Sequence, residues 1–191
     1  PAFAAAHYNL GNALAEGGKF AEAVGSFRRA IAAQPDNAMA HLNLGLAHYS
    51  AGDFEDAIGA YESAIRLDPR LAAAHSNLAN ALFALERLDE ALASGLRAVE
   101  LRPEDAVSHY NLGRIQREKH QIDAAEGSYL KAIALDSALG SAHFNLGLLR
   151  MLRGDFEAGL PGYEWRKVKP DSRKNSDFDA QPWRGDHDVT G

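Results

Sequence analysis

The sequence contains no cysteine, so disulfide bonds and thiolate chemistry are excluded. This rules out an extracellular disulfide scaffold and fits a cytoplasmic protein. No apolar run approaches the roughly 18 residues that a membrane-spanning helix needs, so no association with a membrane is expected. Because the chain begins with Pro1 instead of methionine, we expect an excised fragment that lacks its native N-terminus.

The sequence also lacks a basic stripe. Its 20 Lys and Arg residues are scattered among 26 Asp and Glu residues, which gives a formal net charge of −6. Nucleic acid is therefore not expected as a partner, because surfaces that bind it concentrate positive charge. The chain has no phosphate-binding glycine loop, no Ser, His and acid constellation and no metal-ligand spacing. We expect this fragment to have no catalytic residue, no cofactor and no metal.

What the sequence does contain is a repeat of 34 residues. The motif His-x-Asn-Leu-Gly starts at His7, His41, His75, His109 and His143. In the third copy, Ala79 replaces the glycine. A fixed period of this size indicates an array whose units bury their apolar faces against their neighbours. We predict one elongated domain over residues 1–169, with units at 4–37, 38–71, 72–105, 106–139 and 140–168.

Each unit is predicted to be a pair of antiparallel amphipathic helices, because apolar and small residues recur at i, i+3, i+4 and i+7. The second helix carries an aromatic residue at Phe27, Tyr61, Tyr129 and Tyr163. Gly95 is the exception in the third unit.

Residues typical of helix ends and helix starts occur at the boundaries of these predicted helix pairs. We expect first helices to end in the left-handed conformation at Gly18, Gly52 and Gly154. Asp53 and Asp155 are expected to cap the helices that follow them through their side-chain oxygens.

Prolines are predicted to end the second helices, at Pro35, Pro69 and Pro103. Ser137 replaces the proline in the fourth unit, so that helix is expected to run slightly longer. Pro161 predicts a kink or an early end in the last helix. Residues 170–191 have no helical period and are predicted to be an extended tail or linker that leads to a domain absent from this fragment.

The chain resembles the tetratricopeptide repeat (TPR) family. The resemblance rests on the Leu-Gly pairs, the paired alanine positions, the aromatic residues and the three prolines, and it covers residues 4 to about 168. It implies an all-α fold, a right-handed superhelical solenoid of antiparallel helix pairs whose first helices line a concave groove. The family usually has Trp or another large residue where this chain repeats His.

A narrower resemblance is to the TPR arm of O-GlcNAc transferase, in which an asparagine ladder holds the backbone of an extended polypeptide. The matching residues are Asn9, Asn43, Asn77, Asn111 and Asn145. The segments GDFEAGLPGYEWR and QPWRGDHDVTG are also similar to the junction in bacterial proteins where such repeats precede a glycosyltransferase-like domain. This second similarity implies that a catalytic domain follows Gly191.

Asparagines in mid-helix are locally unfavourable, because their amides compete for backbone hydrogen bonds. An amide has two donors and an acceptor, which suits the main chain of an extended peptide. We therefore predict that the five asparagines bind peptide. Residues that flank them at helical spacing complete the predicted peptide-binding set: Tyr8, Asn12, Asn80, Tyr110, Arg114 and Phe144. The alternative is that duplication copied one structural asparagine that bonds between neighbouring helices.

The repeated histidines are predicted to be packing residues. Equivalent residues of adjacent units lie roughly 10 Å apart, whereas a zinc ion needs its ligands at about 2 Å. Each histidine is expected to pack within its own helix pair with one ring nitrogen bonded.

Two hypotheses for function follow. The first is a protein-protein interaction module that holds an extended peptide or protein segment in its groove, as the substrate-recruiting arm of a glycosyltransferase. The second is a self-associating scaffold, a homo-oligomer with end-to-end contacts or with the tail in the groove, anchored by Phe178, Pro182 and Trp183. The groove lacks the set of Lys and Arg with which chaperone-binding TPR proteins grip a C-terminal carboxylate.

Overall fold

The computed structural model describes residues 2–168 of the chain, and the predicted tail at 170–191 lies outside them. The described residues form ten α-helices and a final 3₁₀ helix, without a β-strand among them. The helices are α1 (Ala2–Glu16), α2 (Phe20–Ala33), α3 (Ala38–Ala51), α4 (Phe54–Leu67), α5 (Ala72–Ala84), α6 (Leu88–Leu101), α7 (Ala106–Glu118), α8 (Ile122–Leu135), α9 (Gly140–Leu152), α10 (Phe156–Glu164) and the 3₁₀ helix Trp165–Val168. The all-α prediction is confirmed. No helix in this part of the chain combines the length and hydrophobicity needed to cross a bilayer.

The helices pack in consecutive pairs, α1 on α2 through α9 on α10, and each pair packs on the next. The odd-numbered first helices also contact one another, α1 with α3, α3 with α5, α5 with α7 and α7 with α9. The even-numbered second helices make no such contact within the described residues. The first helices therefore lie closer together and line the inner side of the array.

A close approach between the two helices of a pair explains the glycine and aromatic positions of the repeat. A Cβ atom on Gly45 would lie 2.5 Å from the ring of Tyr61, which is fully buried. The same distance is 2.6 Å for Gly11 and Phe27, and 2.7 Å for Gly113 and Tyr129. The aromatic ring of each second helix thus occupies the space that the glycine of the first helix leaves open.

In the third unit, residues other than an aromatic one fill the space between the two helices. A Cβ atom on Gly95 would lie 3.4 Å from Leu112 and 3.5 Å from Ile115, both from the following unit. These two side chains are 4% and 1% exposed. They fill the space that an aromatic ring occupies in other units, so Ala79 is tolerated where they have glycine.

Most predictions about helix ends are confirmed. The φ angles of Gly18, Gly52 and Gly154 are 73°, 89° and 84°. Glu86 and His120 take a similar positive φ of 58° at the equivalent places in the third and fourth units. Helix α10 ends early, after nine residues that include Pro161.

Two predictions about helix ends are wrong. The side chain of Asp53 accepts no capping hydrogen bond and instead lies near His48. The cap predicted at Asp155 does form, because its side chain accepts from the amide of Ala158 at 3.0 Å. Helix α8 ends at Leu135, the same place in its unit as α2, α4 and α6, so it is not longer. The carboxylate of Asp136 accepts from the amide of Ala138 at 3.0 Å and forms the turn without a proline.

The repeated histidines hold adjacent units together. A ring nitrogen of His41, His75 and His109 lies 3.0 to 3.1 Å from the carbonyl oxygen of the proline six residues earlier. His143 contacts Ser137 in the same way. The prediction of one bonded ring nitrogen is confirmed for these four, but their partner lies in the loop before the helix and not within their own helix pair. A helical side chain leans toward the N-terminus, which brings the ring to that loop.

Candidate peptide-binding groove

The inner side of the array carries the predicted peptide-binding residues, one cluster on each first helix. Two of the five repeated asparagines are engaged within the chain. The Nδ2 atom of Asn43 donates to the hydroxyl of Tyr8 at 3.0 Å and to Oδ1 of Asn12 at 2.9 Å. Asn43 therefore joins the second unit to the first, as the structural alternative predicts.

Asn145 forms a similar connection at the other end of the groove. Its Nδ2 atom donates to the carbonyl of Ser141 at 2.8 Å and to the hydroxyl of Tyr110 at 3.4 Å. Its Oδ1 atom accepts from Arg117 at 2.8 Å. Both capacities of this amide are therefore used inside the protein.

Asn77 and Asn111 differ from these two. Asn77 is half-buried and Asn111 is 9% exposed, yet neither side chain hydrogen-bonds to any described residue. The reason for Asn77 lies one unit earlier, where Leu42 and Leu46 stand in place of Tyr8 and Asn12. An aliphatic side chain offers no acceptor, so the donors of Asn77 find no partner.

Two further amides of the set also lack a partner in the described part of the chain. Asn80 is half-buried and lies one turn after Asn77 on α5. Asn9 is exposed on α1, where no unit precedes it in the structure. The unpaired amides therefore concentrate on α5 and α7, in the centre of the groove.

Aromatic rings and one cation lie beside these central amides. The guanidinium of Arg114 stands 4.7 Å from the ring centre of Phe83 and 5.9 Å from that of Tyr110. Both distances fall within the range of cation-π attraction. Arg114 forms no ion pair with the described residues, so its charge is held in place by the rings and remains available.

The flanking aromatic residues also have structural contacts. Each packs on the aromatic residue of its own second helix, with ring centres 6.0 Å apart for Tyr8 and Phe27 and 6.1 Å for Tyr110 and Tyr129. Phe144 stacks on Tyr163 at 5.6 Å. One side of each ring is therefore fixed by packing within its own helix pair.

A cavity of about 210 Å³ opens beside Asn77, between the third and fourth units. Its lining includes Ser76 and Asn77 from α5 and Val107 from α7, which is 52% exposed. Asp105 caps α7 by accepting from the amide of Ser108 at 3.0 Å, and it also accepts from the hydroxyl of that serine. Sequence reasoning missed Asp105 and Val107, because the cavity depends on how α5 and α7 approach each other.

A larger cavity, of about 420 Å³, lies on the other side of α5, between α4 and α6. It contains none of the predicted peptide-binding residues. Apolar side chains such as Ile65 and Leu78 line it, together with Arg66, His75 and Arg97. The groove and this cavity are therefore separate surfaces.

Solved structures with the same architecture support the fold. MamA residues 41 to the end, from Desulfovibrio magneticus RS-1, matches with a TM-score of 0.79 at 19% identity, over 88% of this chain and 97% of that chain. PilF of Pseudomonas aeruginosa matches with a TM-score of 0.78 at 22% identity, over 86% and 75% of the two chains. YrrB, a TPR protein with an unusual peptide-binding site, matches with a TM-score of 0.70 at 21% identity, over 87% and 86% of the two chains. At these identities the similarity shows the fold, a TPR solenoid.

Sequence comparison gives the family. No curated protein sequence matches the chain. Tetratricopeptide repeat family models match residues 8–71, 42–106 and 95–127, which together span more than half of the chain. The match, the 34-residue period and the stacked helix pairs agree. The chain belongs to the tetratricopeptide repeat family.

Proposed function

We propose that this chain is a protein-interaction module that holds an extended peptide or protein segment in the groove lined by its first helices. The TPR fold suggests protein-protein interaction. Among the solved structures of this fold, YrrB has a peptide-binding site. We place the peptide along the central groove, on α5 and α7.

The observation that carries this proposal is the lack of partners at Asn77, Asn80 and Asn111 within the described residues. Burying an amide without a hydrogen bond costs about 1–3 kcal/mol. The polar atoms of these three amides remain accessible, so a bound peptide that covers them must satisfy them with its main chain. An amide that bonds main-chain groups is indifferent to peptide side chains, so the predicted affinity depends little on sequence.

Arg114, Phe83 and Tyr110 would supply the side-chain preference. The cation and the two rings lie on neighbouring first helices beside the amides. In a peptide with an acidic residue next to an apolar one, the acidic side chain would pair with the cation and the apolar side chain would pack on the rings. We therefore expect a modest preference for such peptides over basic ones.

We also propose that the module serves as the substrate-recruiting arm of a glycosyltransferase. Support for this comes from the resemblance of residues 154–166 and 181–191 to junctions between TPR arrays and glycosyltransferase-like domains. Within this proposal, the fragment itself binds the substrate and performs no chemistry.

The test is binding of a peptide library to the chain. Peptides of about 15 residues suit the groove, because five units spaced roughly 10 Å apart match that extended length. The triple variant N77A/N80A/N111A is expected to bind the selected peptides roughly tenfold more weakly in fluorescence anisotropy. The double variant Gln34→Ala and Gln121→Ala removes exposed amides outside the groove and serves as the control. Equal binding by the triple variant and the wild-type chain would refute the asparagine ladder.

Exposed apolar side chains favour a second candidate function, self-association. At the first unit Phe3 is 79% and Leu10 48% exposed. At the last described unit Leu152 is 81% and Phe156 60% exposed. Repeat arrays whose terminal faces are apolar tend to stack.

Light scattering of the chain and of the variant Leu10→Glu and Leu152→Glu tests this candidate. A dimer or longer assembly that the double variant abolishes would support end-to-end contact. A wild-type chain that stays monomeric at all concentrations would exclude self-association and leave peptide binding as the proposed function.

A further inference from the structure

We propose that His48, Asp53 and Asp56 form a binding site for a first-row divalent metal ion, of which zinc is the representative. The site lies at the turn between α3 and α4, on a part of the second unit that the peptide-binding proposal does not use. One ligand atom from each residue falls within 4.8 Å of the other two. His48 is not one of the repeated histidines.

The distances between the three side chains suit ligands of one shared cation. The Nδ1 atom of His48 lies 3.4 Å from Oδ2 of Asp53 and 4.0 Å from Oδ2 of Asp56. Hydrogen bonds from ring nitrogen to oxygen span about 2.7–3.2 Å. Two ligands of a tetrahedral zinc ion, each at about 2.0–2.2 Å, lie about 3.3–3.6 Å apart. The distance from His48 to Asp53 lies in this range, and the exposed side chain of Asp56 would have to move closer.

The imidazole of His48 is a buried group whose hydrogen bond to Asp53 is long, at 3.4 Å. Its side chain is only 5% exposed, and the two carboxylates are its only polar contacts among the described residues. A buried ring nitrogen with one long hydrogen bond to a carboxylate and a second carboxylate 4.0 Å away is an arrangement that a metal ion would complete. The histidine is buried, and the two aspartates, 58% and 65% exposed, open the site to solvent.

The charge of the site also favours a cation. Neither Asp53 nor Asp56 forms an ion pair with a Lys or Arg of the described residues. The start of α4 explains an acid at Asp56 through the helix dipole. It does not explain why the side chain of Asp53, at the N-cap of α4, accepts no capping hydrogen bond, whereas that of Asp155 does at the N-cap of α10. A divalent ion would neutralise both carboxylates.

The donor set selects the metal. One imidazole nitrogen and two carboxylate oxygens suit zinc and its first-row neighbours, whereas Mg²⁺ and Ca²⁺ take oxygen ligands. Three protein ligands leave a fourth position for water. A bound ion would join the end of α3 to the start of α4 and stabilise the second helix pair.

The other units provide an internal comparison. The place of His48 is taken by Leu14, Leu82, Gln116 and Arg150, and no other unit has a nitrogen ligand together with both aspartates. Leu82 is 3% exposed in its helix pair. His48→Leu therefore fits the fold and removes the nitrogen ligand. Asp56→Asn weakens the site on its exposed side, where folding is not at risk.

The experiment is calorimetric titration of the untagged chain with Zn²⁺ at neutral pH, with Mg²⁺ in a parallel arm. We expect one Zn²⁺ per chain, no detectable Mg²⁺ binding, and a rise in Tm of about 5 °C under excess Zn²⁺. H48L and D56N are each expected to weaken Zn²⁺ binding roughly tenfold or more. His41→Gln, at a histidine outside the site, is expected to bind like wild type. Absence of Zn²⁺ binding, or equal binding by H48L and wild type, would overturn the proposal.

Discussion

The amide of Asn43 donates a 3.0 Å hydrogen bond to the hydroxyl of Tyr8, a residue 35 positions earlier on the neighbouring first helix. Asn77 occupies the same place one unit later and bonds to no described residue. The two asparagines occupy the same place in the repeat but differ in what the preceding unit offers them. This difference separates a stabilising role from a binding role and can be measured.

Asn43→Ala is expected to destabilise the chain by about 1 kcal/mol, because it removes two bonds between units and leaves Tyr8 and Asn12 unpaired. Asn77→Ala is expected to change stability by less than about 0.5 kcal/mol, because no bond is lost. Urea denaturation followed by circular dichroism compares the two variants. Equal destabilisation by both would contradict the distinction between them.

Gly45→Ala is expected to destabilise the chain by about 1–3 kcal/mol, because the added methyl group would lie 2.5 Å from the ring of Tyr61. Gly59→Ala is the matched control, since a Cβ atom at this exposed position of α4 meets nothing within 4 Å. Its higher helix propensity should stabilise the chain by about 0.5–1 kcal/mol. Thermal unfolding should therefore move in opposite directions for the two variants, and a shared direction would refute this account of the packing.

Tyr61→Phe is expected to stabilise the chain, because the hydroxyl of Tyr61 is buried without a hydrogen-bond partner among the described residues. Phe27 fills the equivalent position in the first unit at 1% exposure, which shows that the ring fits without the hydroxyl. The gain should be about 1 kcal/mol in chemical denaturation. Tyr110→Phe, which removes a hydroxyl that reaches Asn145 at 3.4 Å, should give no gain.

Alkaline pH should destabilise the chain through the buried phenols. Burial raises the pKa of Tyr129 to about 12 and raises that of Tyr61 as well. A raised pKa means that folding favours the neutral phenol, so this stability is complete below pH ~10 and is lost as the pH rises toward the folded-state pKa. The double variant Tyr61→Phe and Tyr129→Phe should lose less stability between pH ~9 and ~11 than the wild-type chain. Parallel stability curves for the two proteins would contradict the prediction.

Much of the fold could be predicted because the residues that form each packing contact recur in several units. The glycine at Gly45 and the ring at Tyr61 recur as Gly11 with Phe27 and as Gly113 with Tyr129. Helix ends were predicted where one residue decides them, as at Gly52 with its φ of 89°. The cap at Asp53 was predicted wrongly because its carboxylate can reach two partners, the backbone amides of α4 and the ring of His48, and it contacts His48.

The peptide-binding set could be predicted only as a list of residues on one face. A periodic asparagine places an amide on the inner side of every first helix, and sequence supports that much. Whether Asn43 and Asn77 are paired depends on the residue that the preceding unit brings to each, Tyr8 for Asn43 and Leu42 for Asn77. That partner lies about one unit away in sequence, and its distance is set by helix packing.

The sequence by itself determined the architecture of this protein, because a 34-residue period of small, apolar and aromatic residues can bury its apolar faces only by stacking helix pairs. Tertiary structure alone decided the roles of polar residues. It pairs Asn43 with Tyr8, leaves Asn77 without a partner, and brings Asp53 and Asp56 to the ring of His48. Apolar burial tolerates small changes in position, whereas a hydrogen bond or a metal site is decided by a few tenths of an ångström between side chains.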